Sequence, residues 1–332
     1  MARKNNTVDK ALYWLRYRIG EYCLRGFVFV FPWVPQRLLA SFTSVAGRVT
    51  YVFLWKYRQR MEENVFNALG RDFPEAGERE ELIRKAWRNF SKGFFETACS
   101  LYTSRGGILS MVAVQGEDHL KNALAKGKGV IALSAHLGSF TMIGARLASA
   151  GYAFNVVVKQ PRDRRFARLL DAYRAQLGMQ TISAKPRREA ARRILRCLRK
   201  NEIVLLIADE FKSGGIEVEF LNRSVSAARG PVTLALRSGA AVVPMFVTRD
   251  SDDRLGLSIF PEMDLVKTGN LQEDVAANTA MTIRQLETMV RRYPDQWNWL
   301  GFRRNGALQR NTNSGVNITR PSRQVKNLDS DS

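Results

Sequence analysis

The chain carries two histidines in 332 residues, and one of them stands where chemistry is expected. His136 lies in the stretch "GVIALSAHLGSFTMIG", Gly129 to Gly144, between an apolar strand pattern and the start of a helix. A neutral imidazole at such a point can take a proton from a hydroxyl or an amine. Gly138, two residues on, permits close backbone approach. The N–H groups at the helix start could hold an oxyanion or a phosphate. Asp209 and Glu210 end a second apolar run, "IVLLIADE". Carboxylates there can orient a base, bind an amine or sugar hydroxyl, or cap the chain that follows. Lys159 closes a third run, and Arg229 stands just before the helical stretch "GPVTLALRSG", which opens on Gly230, where a cation beside free N–H groups suits phosphate or carboxylate. Each has a plainer reading: a histidine bonded to a loop, a capping acid, a solvated arginine. His119, inside an amphipathic helical pattern, reads as structural.

These residues need elements that bring them together. From about residue 110, strand patterns alternate with helix patterns. "MVAVQG", "GVIALSA", "AFNVVVK", "QTISA", "IVLLIAD", "AAVVPMFVTRD" and "RLGLSIFP" read as strands. Helices are expected over 116–128, from the histidine turn to about 150, over 162–178, 186–202 and 230–239, and over 272–293. Near-continuous apolar strands separated by helices imply an α/β fold with a mainly parallel sheet covered on both faces. Ligands in such sheets sit beyond the carboxyl ends of the strands. His136, Lys159 and Asp209 all occupy that position. Residues 8–60 read as helices broken at Pro32 and Pro35, and residues 61–105 as further helices with Trp87, Phe90, Phe94 and Phe95 at helical spacing.

Composition narrows the class. The chain is 45% apolar and 25% charged, which suits a globular domain with a full core. The net charge of +21 is concentrated: residues 1–60 hold +9 and residues 159–200 hold +11. Two basic surfaces facing anionic partners are therefore expected. Three separated cysteines (Cys23, Cys99, Cys197) make neither a disulfide framework nor a metal signature. The apolar segment Gly26 to Pro35 has ten residues, against about 20 needed to span a bilayer. Residues 12–58 instead combine aromatic bodies with Arg and Lys, a pattern suited to a membrane interface; a single N-terminal span is the second possibility. Residues 306–332 read as a disordered polar tail.

The ordered blocks "GKGVIALSAHLGSF", "VVVKQP", "IVLLIADE", "FLNRSVSAARGPVTLALRSGAAVVPMFV" and "YPDQWNWLGFRR" resemble the bacterial lipid A late acyltransferases, lauroyl and myristoyl transferases related to the glycerolipid acyltransferases. The resemblance covers roughly residues 10–305. It implies a membrane-associating helical segment (1–60) ahead of an α/β acyltransferase domain (61–305) at the cytoplasmic face of a bacterial inner membrane. It implies transfer of a fatty acyl chain from an acyl carrier protein or coenzyme A thioester to a hydroxyl of a lipid A precursor-like glycolipid, without metal or redox cofactor. The acidic carrier protein and anionic lipid are the implied partners, and no nucleic acid is. His136 becomes the general base, N–H groups around Gly138 the oxyanion donors, and Lys159, Arg229 and Gly230 substrate contacts. The family places an Asp or Glu after His and four intervening residues; here that position is Thr141. Asp209 and Glu210 are the carboxylates able to take its place. The alternatives are an amine or other lipid acceptor, and a non-catalytic lipid-binding protein of the same fold.

Overall fold

The computed structural model describes residues 7–34, 36–211 and 214–302; the tail expected over 306–332 lies outside them. Helices come first: α1 Thr7–Val30, a 3-10 turn Phe31–Trp33, α2 Gln36–Phe53, α3 Trp55–Leu69, α4 Ala76–Ser100 and α5 Arg105–Met111. Pro32 sits in the 3-10 turn, where its missing N–H and fixed φ end α1. The alternating part follows: β1 Val112–Gln115, α6 Glu117–Ala125, β2 Val130–Ser134, α7 Thr141–Ser149, β3 Phe154–Val158, α8 Arg164–Gln176, β4 Met179–Ser183, α9 Arg187–Arg199 and β5 Ile203–Ile207. The chain then forms β6 Ile216–Phe220, β7 Arg223–Ala227, α10 Gly230–Ser238, β8 Ala241–Arg249, β9 Leu255–Ile259 and α11 Leu271–Arg292.

Seven strands form one sheet in the order β1-β9-β8-β2-β5-β3-β4. Every pairing is parallel except β8 with β9. The all-buried β2 and the largely buried β5 and β8 are the continuous apolar runs, as two covered faces require. One face is covered by α9, α10 and α11 together with α3 and α4, the other by α5, α6 and α7. In α9, Ala190, Ile194 and Leu198 recur every fourth residue and are buried, which turns the arginines outward. The expected mainly parallel α/β fold is therefore the observed one.

The β6–β7 hairpin was not legible in the sequence. Its two-residue turn, Leu221–Asn222, has φ of 51° and 60°, and Leu221 is fully buried. A turn with both φ positive normally advertises itself with glycine, whereas here a core leucine occupies the position. The expected boundary at residue 60 falls inside α3. Its Met61, Val65, Ala68 and Leu69 pack into the main core, so this helix belongs to the same body as the sheet. Aromatic contacts tie the first helices to α4: Phe95 meets Phe27 at 5.3 Å and Phe31 at 5.5 Å between ring centroids. Among the described residues, no helix is long and apolar enough to cross a membrane, so the single-span alternative finds no helix to carry it.

Candidate active site

The site is built by register. β2 and β5 are parallel neighbours with Ser134 opposite Ile207. The ladder continues one step, with the Ala208 N–H donating to the Ser134 carbonyl at 2.9 Å. Two residues beyond each strand end come His136 and Asp209, at equal height on strands roughly 4.8 Å apart. Their side chains meet: His136 Nδ1 lies 2.8 Å from Asp209 Oδ1. The other oxygen, Oδ2, accepts two hydrogen bonds, from the His136 backbone N–H at 2.8 Å and from Trp297 Nε1 at 2.8 Å. The Asp209 side chain is 2% exposed and the imidazole 29%, so the acid is buried behind a ring that reaches solvent. Phe140 packs edge-on against that ring, centroids 5.0 Å apart, and limits its rotation.

The loop after His136 is held from three sides. Gly138 has φ of +55°, and a Cβ there would stand 2.1 Å from the Val247 carbonyl of β8, so only glycine fits. The Gly138 N–H donates to the Gln296 carbonyl at 2.7 Å, and the Ser139 N–H to the Val247 carbonyl at 3.1 Å. These two donors, expected to face an oxyanion, are consumed in fixing the loop. The close approach that glycine permits serves packing against β8. On the α4 side, the Ser139 hydroxyl bonds the Glu96 carboxylate, whose other oxygen takes the Arg249 guanidinium. From the C-terminal side, the Asn298 N–H donates to the His136 carbonyl at 2.9 Å.

Thr141, at the position where an acid was expected, places its hydroxyl 2.6 Å from that of Thr97 on α4. It makes a neutral contact between helices. Glu210 is exposed beside Asp209, whereas Asp209 is the carboxylate that reaches the imidazole. Lys159 and Arg229 are exposed. Lys159 follows β3, and Arg229 and Gly230 open α10, which leads down into β8. Because β2, β3, β5 and β8 are parallel, these groups gather at the same end of the sheet as the dyad. Sequence reasoning gave Trp297, Gln296 and Glu96 no role. Their signal was weak, since an aromatic-rich segment after a long helix and a glutamate within a helix have ordinary structural explanations. Among the described residues, no group of His, Cys, Asp and Glu has an arrangement able to hold a metal ion.

An imidazole whose Nδ1 is held by a buried carboxylate, with its ring reaching solvent, has the arrangement that general-base chemistry on a hydroxyl requires. The sequence profile of the bacterial lipid A biosynthesis acyltransferases matches residues 5–304. The chain belongs to that family. This acyltransferase is 24% identical over 244 residues to the phosphatidylinositol mannoside acyltransferase of Mycolicibacterium smegmatis, covering 73% of the chain and 78% of the relative. It is 28% identical over 191 residues to the protein of the same description in Mycobacterium tuberculosis, covering 56% of the chain and 58% of the relative.

Proposed function

We propose that this acyltransferase moves a fatty acyl chain from a thioester onto a sugar hydroxyl of a phosphate-bearing glycolipid at a membrane surface. The observation that carries the reading is the buried Asp209 carboxylate on Nδ1 of the solvent-reaching His136. With Nδ1 committed, Nε2 is the base nitrogen. It takes the proton of the acceptor hydroxyl as that oxygen bonds the thioester carbon. The tetrahedral oxyanion then collapses, the C–S bond breaks, and the leaving thiolate takes the proton back from Nε2. Asp209 holds the tautomer and balances the transient imidazolium. No metal or redox group enters this sequence.

The acceptor class draws support from two directions. The family is named for lipid A biosynthesis and the relatives for phosphatidylinositol mannosides, both glycolipids with phosphate. Exposed cations flank the dyad: Lys159, Arg229, Arg162, Arg164 and Arg165 before and on α8, and Arg187, Arg188 and Arg192 on α9. Both helices start at the carboxyl end of the sheet, so their first turns face the side where the dyad opens. The same surface suits an acidic carrier protein as donor, the source we favour over coenzyme A. The exposed aromatic and aliphatic groups of the first helices, among them Trp14, Tyr22, Phe29, Trp33, Phe53 and Trp55, form the membrane-facing side.

The test uses the purified full chain with vesicles containing a bacterial glycolipid extract and a palmitoyl thioester on either carrier protein or coenzyme A. Mass spectrometry should show one acyl group added to a glycolipid, and His136→Ala should abolish it. Equal rates for His136→Ala and wild type would overturn the mechanism. Acyl groups appearing only on amines would overturn the acceptor.

A further inference from the structure

The geometry points to Trp297 as a positioning residue of the acyl-transfer site: its indole N–H holds Oδ2 of Asp209 so that Oδ1 stays aimed at His136 Nδ1. This rests on the His136–Asp209 dyad proposed above. The buried carboxylate has three partners, and only one of them is the imidazole. Two are donors on Oδ2, from the His136 backbone and from Trp297, which is itself 3% exposed. A carboxylate can turn about its Cβ–Cγ bond. Two donors on one oxygen remove that freedom, and a donor to a buried anion contributes more than a neutral hydrogen bond.

The indole is placed by the segment that carries it. Leu137 and Trp297 form an isolated antiparallel bridge, closed by Gly138 N–H to the Gln296 carbonyl at 2.7 Å and Asn298 N–H to the His136 carbonyl at 2.9 Å. Gln296 clasps the end of β8 with both halves of its amide. Its Oε1 accepts from the Arg249 N–H and its Nε2 donates to the Arg249 carbonyl, each at 2.8 Å. The Trp297 ring is packed by Phe220 at 5.6 Å, Trp299 at 4.8 Å and Phe302 at 5.3 Å. Residues 296–298 thus join the histidine loop, the acid loop and β8 in one short stretch, and the indole is the part that reaches the chemistry.

Removing the indole donor has a signed consequence. Asp209 loses one of its two Oδ2 partners, its charge is less dispersed, and the imidazolium beside it is stabilised. Besides Asp209, the charged groups around the site are Glu210 on the β5 loop, the Glu96–Arg249 pair bonded to Ser139 between α4 and β8, and the exposed Lys159 and Arg229 at the same end of the sheet. A change at Trp297 leaves all of them in place. The acid limb of the pH–rate profile therefore moves to higher pH, because the base must lose its proton to work.

The experiment compares wild type, Trp297→Phe, Asp209→Asn and the double variant, with a benzothienylalanine chain at 297 as the isosteric control that keeps the bicyclic shape and lacks the N–H. Expected are a fall in kcat of about 10- to 100-fold for both position-297 variants with KM unchanged, and an acid limb shifted upward. In the Asp209→Asn background, Trp297→Phe should cost little more. Overturning results are a benzothienylalanine enzyme with the wild-type pH profile and rate, or a loss carried by KM alone. The latter would mark Trp297 as packing or substrate contact. An active Asp209→Asn enzyme would instead sink the dyad itself, so the two failures are distinguishable.

Discussion

At the scale of single residues, the question posed by Thr141 is answered by distance in sequence. The acid bonded to His136 comes from residue 209, just past the neighbouring strand, and the Thr141 hydroxyl contacts that of Thr97. The two positions should therefore respond in opposite ways. Asp209→Asn keeps the shape and removes the charge; turnover in the acyl-transfer assay should fall by about 10⁴, the loss known for an equivalent change in a serine-protease triad. Thr141→Val should leave turnover within about threefold and lower unfolding free energy by about 1 kcal/mol, the worth of one hydrogen bond. A collapse of activity in Thr141→Val with a normal unfolding curve would move the catalytic role back to residue 141.

At the scale of elements, α1 is fastened to the catalytic body by charge as well as by aromatic packing. Glu21 is fully buried and meets Arg18, Arg25 and Arg165; Arg18 also pairs with Asp163 at 2.7 Å. Asp163 caps α8 through the Phe166 N–H at 2.8 Å. The loop that follows β3 and carries Lys159 is thereby tied to α1. Glu21→Ala leaves the buried Arg18 without its nearest partner and should cost about 3 kcal/mol, read as a Tm several degrees lower. The cap N–H of Phe166 and then Arg18 hold the Asp163 carboxyl below its ordinary value. A depressed folded-state pKa gives stability that is present above the unfolded value near 3.8 and is lost as pH falls through the folded one. The stability gap between wild type and Asp163→Ala should accordingly hold at pH 7 and narrow below about pH 4.

At the scale of the whole molecule, the proposed function requires the dyad, the basic first turns of α8 and α9, and the exposed apolar groups of α1 and α2 to act as one surface. Cys23, exposed on α1, offers a reporter. Burial pushes the Cys99 thiol up and the Cys197 thiol up to about 11, so a maleimide at pH 7 should label Cys23 first. A polarity-sensitive dye at Cys23 should shift to the blue on adding vesicles with anionic phospholipid. Phe29→Glu with Trp33→Glu should abolish the shift while leaving the unfolding curve in place. No shift with wild type at low salt would remove the membrane-facing assignment of these helices.

The fold was legible because periodicity is local: apolar runs between amphipathic helices imply a mainly parallel sheet covered on both faces. The same pattern located His136 and Asp209 at strand ends, each as a possibility. It could not choose between Asp209 and Glu210 as the acid in place of Thr141, since spacing along the chain says nothing of spacing across strands. That choice was made by the β2–β5 register, which sets residues 136 and 209 side by side and leaves Glu210 facing solvent. The Gly138 N–H was legible as a donor but its partner was not, because that partner, Gln296, is 158 positions away in sequence. Trp297 was legible as part of the block "YPDQWNWLGFRR" but not its bond to Asp209, for the same reason. The sequence alone determined which side chains with the right chemistry stand at strand ends; tertiary packing decided which of them touch, because hydrogen bonds are contacts of about 3 Å and only the closed sheet and the returning C-terminal segment bring such distant residues within that range.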